Sequence, residues 1–119
     1  MAQYAHLPIY NAAFELLKEF HMRIPKFSKQ YKYQLGEEFI RPSMKIIRLI
    51  VETNNTRDNK RRSEILEEMI WNIESLIISL RMANELAQWG NQKSYLYLLE
   101  KTVALSKQAE GWRKSVSPK

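Results

Sequence analysis

The chain has 119 residues, room for one domain with a real core, and carries 19 Lys+Arg against 13 Asp+Glu, a net charge of +6. It has no Cys, which excludes a disulfide framework and a thiolate metal site, and its 3 Gly and 4 Pro argue against a turn-rich β fold. The basic excess favours an anionic partner, whether nucleic acid, an acidic protein face or an anionic membrane.

The first residues, Met1-Ala2-Gln3-Tyr4-Ala5-His6, lack a charged segment leading into an apolar run, so no signal peptide is read there. No apolar run approaches the roughly 18 residues of a membrane span. A cytoplasmic protein with no membrane partner is the expectation. Helix one is expected from Leu7 to Ile24, with Pro8 in the first turn, where a missing N–H costs nothing. Tyr10, Ala13, Phe14, Leu17, Phe20, His21 and Ile24 recur at spacings of three and four and are expected to form its buried stripe, with His21 a half-buried core histidine.

Pro25 ends that helix. From Arg23 to Gly36 the chain carries four basic residues, Arg23, Lys26, Lys29 and Lys32, and no acid, with Phe27, Tyr31 and Tyr33 among them. This basic, aromatic stretch reads as a connection that seats the helices, touches an anionic partner, or does both. Helix two is expected over 35–54 on an apolar face of Leu35, Phe39, Ile40, Ile46, Ile47, Ile50 and Val51. Pro42 falls inside it, at a usual cost of about 3 kcal/mol. Either the helix kinks or it restarts at Pro42; the near-continuous apolar register favours the kink.

The polar stretch Thr53–Asn59 reads as a loop, with Asp58 or Asn59 as the cap of helix three. Lys60, Arg61 and Arg62 crowd that helix start, where the macrodipole disfavours cations by roughly 0.3–1 kcal/mol each. Either Glu64, Glu67 and Glu68 neutralise them or they form a second basic patch. Helix three, 60–89, would span about 45 Å. Its main stripe is Leu66, Met69, Ile70, Ile73, Leu76, Ile77 and Leu80. Trp71, Ile78, Met82 and Trp89 fall within about 20° of one line on the opposite side. A helix apolar on two opposed faces predicts a subunit contact there, unless Trp89 folds back over its own bundle.

Gly90 stops helix three and Asn91 caps helix four, expected over 92–110. Its buried face is Tyr95, Leu96, Leu99, Thr102 and Val103, with Tyr97 pointing away. Trp112 is expected to pack on the bundle end, and the tail to fray beyond Lys114. Four helices joined by moderate connections predict an all-α, up-down-up-down four-helix bundle forming a single domain over 1–119.

Chemistry is expected to be absent. Gly36, Gly90 and Gly111 are too dispersed for a phosphate-cradling loop. Three residues before His6 and His21 stand Gln3 and Lys18, not the Glu of a di-iron motif. Asp58 is the only Asp, and no nucleophile–base pair is suggested by spacing. No catalytic residue, metal or cofactor is expected. Two classes of binding protein remain. In one, Lys26, Lys29, Lys32, Arg57, Lys60, Arg61 and Arg62 meet the phosphates of RNA or single-stranded DNA while Tyr31 and Tyr33 stack on bases. In the other, a structural adaptor sets the same surface against an acidic protein.

Pro8-Ile9-Tyr10, Pro25-Lys26, Lys32-Tyr33-Gln34-Leu35-Gly36-Glu37, Arg57-Asp58, Tyr95-Leu96-Tyr97-Leu98-Leu99 and Gly111-Trp112, in this order and spacing, resemble the pattern of the accessory variability determinant (Avd) proteins of diversity-generating retroelements. The resemblance runs over nearly the whole chain, and Pro42 departs from it. More distantly, the chain is similar to four-helix proteins encoded in intervening sequences of bacterial ribosomal RNA genes. The Avd resemblance implies a bundle assembled as a ring-like homopentamer. It further implies binding to a reverse transcriptase and its template RNA in support of mutagenic copying into cDNA.

Overall fold

A computed structural model describes residues 4–117. It contains α1 (Pro8–Arg23), a single 3-10 turn (Ile24–Lys26), α2 (Lys29–Asn55), α3 (Asn59–Glu85) and α4 (Gln92–Val116). No strand occurs among the described residues. Each helix packs on the next, and α1 closes on α4. The connections are too short to cross the bundle, so neighbours run antiparallel. One end holds the α1–α2 connection and the α3–α4 turn. The other holds the α2–α3 turn and both outer termini.

Two elements are longer than their local signals suggest. α2 begins at Lys29, six residues before the expected start, so most of the basic, aromatic stretch is helix and the connection proper is the 3-10 turn plus Phe27 and Ser28. Tertiary packing overrides the weak start. Phe27 is buried against Phe39 at 6.3 Å between ring centroids, and Gly36 lies so close to Ile24 that a Cβ there would sit 2.8 Å from Ile24 Cγ2. α4 runs through Gly111 to Val116, which is buried, so the tail is helical beyond Lys114; Pro118 and Lys119 lie outside the described residues, as do Met1, Ala2 and Gln3. α2 passes Pro42 without a break. The proline supplies no N–H for the turn before it, and next to it the buried Ser43 hydroxyl has no hydrogen-bond partner.

α3 ends four residues earlier than expected, at Glu85. The Ala87 N–H donates to the Asn84 carbonyl at 3.0 Å and the Gln88 N–H to the Ala83 carbonyl at 2.9 Å. This pair of bonds is a Schellman stop, which requires a left-handed residue. Ala87 takes that role with φ 58°, although a side chain in this region costs roughly 1–2 kcal/mol. The reversal swings Trp89 inward. It is only 6% exposed, and its indole N–H donates to the Leu80 carbonyl at 3.1 Å. Trp89 therefore leaves the outer line of α3, which keeps Trp71, Ile78 and Met82, exposed by 70%, 70% and 53%.

The core stripe on α3 stands as expected and gains Ile65 and Ala83, while Ile77 lies at its edge. On α1 the buried face is Ile9, Ala13, Leu16, Leu17 and Phe20, rotated so that Phe14 and His21 are exposed. α2 buries Phe39, Ile46, Leu49 and Ile50, with Leu35, Ile40 and Ile47 packed at the rim. On α4 the buried line is Leu98, Thr102, Leu105 and Ala109, and Leu96 faces out. Phe14 and Tyr10 mislead here because an aromatic side chain satisfies a half-buried flank as well as a core position, the latter taken by Phe20 and Phe39.

Candidate nucleic-acid interface

The cations at the two helix starts differ in what holds them. At α3, Asp58 is the N-cap and accepts from the Arg61 N–H at 3.1 Å. The Arg61 guanidinium pairs with Glu52 at 3.1 Å and Glu64 at 3.4 Å. Arg62 donates to the Thr53 carbonyl at 3.3 Å and lies over the Trp112 ring, 5.8 Å from its centroid. Trp112 thus packs on the bundle end, as expected. Of the acids expected to neutralise this start, only Glu64 does so; Glu67 pairs with Arg113 and Glu68 with Lys45. Glu52, from the preceding helix, was not foreseen. Arg57 and Lys60 are exposed and form no ion pair among the described residues.

At α2 the picture is reversed. Its first turn holds no acid, and Ser28 makes no side-chain cap bond. The Ser28 N–H instead donates to Gln88 Oε1 at 2.7 Å, tying the α1–α2 connection to the α3–α4 turn. Lys26, Lys29 and Lys32 are exposed, and none forms an ion pair among the described residues. Two of them stand at the positive end of a 27-residue helix with nothing to offset them. Arg23 is the exception in this stretch: it bonds Glu19 at 2.9 Å and covers Tyr97, 5.5 Å from the ring centroid.

The three lysines do not share one face. Lys26, on the 3-10 turn, lines a depression of about 470 Å³ with Glu19, Arg23, Gly90 and Asn91. Lys29 and Lys32 border a groove of about 350 Å³ with Ile24, Tyr33, Gly36 and Ile40. The two tyrosines also part company. Both border a second groove with Leu86, but Tyr31 is half-buried, as an anchor is, whereas Tyr33 is 80% exposed and alone of the two borders the lysine groove. Ile24, Gly36 and Ile40 escaped notice as site residues. The one available signal was a glycine inside an apolar helical pattern, which marks a close approach.

No three His, Cys, Asp or Glu side chains converge on a metal-sized site among the described residues, and no helix there is long and apolar enough to cross a membrane. No family model and no curated protein matches the chain.

Proposed function

We propose that this protein is a non-catalytic accessory protein that binds single-stranded nucleic acid through the lysines at the start of α2. The carrying observation is that Lys26, Lys29 and Lys32 form no ion pair among the described residues, and that the first turn of α2 holds no acid. Isolated cations at the positive end of a helix are unfavourable alone and favourable once an anion arrives. Arg57 and Lys60 add a second, smaller basic zone at the opposite end of the bundle. On the strength of the Avd resemblance, the function is to serve a diversity-generating retroelement. There the protein would hold the reverse transcriptase and its template RNA or cDNA during mutagenic copying.

The same reading makes the protein a ring-like homo-oligomer, a pentamer by resemblance. Trp71, Ile78 and Met82 support it, because large apolar side chains aligned along one exposed helix face favour a partner surface. Sedimentation at micromolar concentration is expected to give an oligomer for the wild type and smaller species for Ile78→Glu, with helicity unchanged. A wild-type monomer would remove the ring. This stripe also favours the second reading, an adaptor whose only partners are proteins.

A salt titration separates the two. Binding to RNA or single-stranded DNA is expected to weaken with salt, the log–log slope being about −0.7 per phosphate contacted. Replacing Lys26, Lys29 and Lys32 by Gln is expected to flatten that slope by about 2 and leave assembly intact. Absence of binding at about 50 mM salt, or an unchanged slope in the triple variant, decides for the adaptor.

A further inference from the structure

We infer that the groove at the start of α2 holds one unstacked base of a single strand, with Tyr33 as the stacking surface and Lys29 and Lys32 on the flanking phosphates. This rests on the nucleic-acid reading above and adds a site to it. Tyr33 is the most exposed large hydrophobic side chain among the described residues, at 80%. It is four residues from Lys29 and shares its helix face, and Lys32 borders the same groove. The floor is apolar: Ile24, Gly36 and Ile40. Gly36 creates it, because a Cβ there would collide with the Ile24 side chain, 2.8 Å from Cγ2.

Glu37, the single acid bordering the groove, pairs with Arg41 at 3.2 Å and with neither lysine. A flat ring over an apolar floor, flanked by two cations, suits an anion that itself carries a flat aromatic group. A nucleotide is such an anion. An acidic peptide would use the lysines and gain nothing from the ring. A duplex keeps its bases stacked on one another, so only a single strand offers a free face.

The test is fluorescence anisotropy with labelled oligodeoxyadenylate and an abasic strand of equal length and charge. Wild type is expected to bind the base-bearing strand about tenfold more tightly than the abasic one. Tyr33→Ala is expected to erase that difference without changing the salt slope, and Tyr33→Phe to preserve it. Lys29→Gln with Lys32→Gln is expected to weaken both strands equally and flatten the slope. Because these side chains are exposed, circular dichroism should match the wild type; melting should match it for the Tyr33 variants and rise slightly for the lysine double variant, which takes cations off the positive end of the helix. Equal wild-type affinity for the two strands, or an unaltered difference in Tyr33→Ala, overturns the stacking site while the phosphate contacts stand. Equal affinity for duplex overturns it too. If no strand binds but polyglutamate does, the whole nucleic-acid reading falls and the surface is a protein-docking face.

Discussion

The two ends of the bundle are sealed by different chemistry. At the end where α1 meets α2 and α3 meets α4, the seal is aromatic: the Trp89 ring lies 5.1 Å from both Phe27 and Phe39 and 6.3 Å from Phe20, centroid to centroid. All four are buried, and the cross-link at the surface is the neutral Ser28–Gln88 bond. At the other end the seal is ionic, with Arg61 on Glu52, Arg62 on Thr53 and Trp112, and Arg113 on Glu67. The lesson is one of availability. Where aromatic packing closes the bundle, lysines are left free to meet a partner. Where cations do the closing, Arg61, Arg62 and Arg113 are engaged inside the fold, although the flanking sequence is at least as basic.

The sharpest way to break this contrast is to delete the aromatic centre. Trp89→Ala is expected to cost about 3–5 kcal/mol, as loss of a large buried aromatic does. Trp112→Ala at the ionic end, where the ring is half-exposed, is expected to cost about 1–2 kcal/mol. Urea melts of both variants check this, and equal losses would mean that the two ends are held alike. The smallest change sharpens the contrast from the other side. Gln30→Glu places an acid in the first turn of α2, where the helix has none. It is expected to raise stability by about 0.3–1 kcal/mol through the macrodipole while weakening single-strand binding. A variant that gains stability and keeps full affinity would show that the open charge at this helix start has no part in binding.

The number of helices, the stripe on α3 and the cap at Asn91 were legible from spacing and residue type, and the cap of α3 was narrowed to Asp58 or Asn59; Asp58 caps on the Arg61 N–H and Asn91 on the Ser94 N–H. The start of α2 was not. Lys29 and Lys32 oppose the dipole and the Ser28 side chain makes no cap bond, so the helix start rests on the packing of Phe27 and Gly36 rather than on its own first turn. Trp89 was misplaced for a related reason. The 100° rule holds only while the helix lasts, and α3 ends at an alanine in a conformation that usually announces itself by glycine. Ionic engagement was the least legible property. Glu52, nine residues before Arg61, neutralises it across a turn, and spacing within one helix cannot register that. In the same way, an even run of basic residues concealed that Arg23 is held by Glu19 and Tyr97 while its neighbours are free.

The aromatic seal also has a bearing on time. Ser28 and Gln88 are 60 positions apart in the chain, and Phe27 and Trp89 are about as far apart. Each antiparallel helix pair can assemble from contacts close in sequence, but this cluster closes only when the two pairs have met. Such distant contacts carry the largest loop-closure cost and reward the chain late. Interactions absent from the folding transition state govern how fast a protein comes apart rather than how fast it forms. In Trp89→Ala, then, the lost free energy belongs mainly in the unfolding limb of a chevron. The indole acts as a latch on the lifetime of the folded chain, set at the same end as the lysines that await a partner.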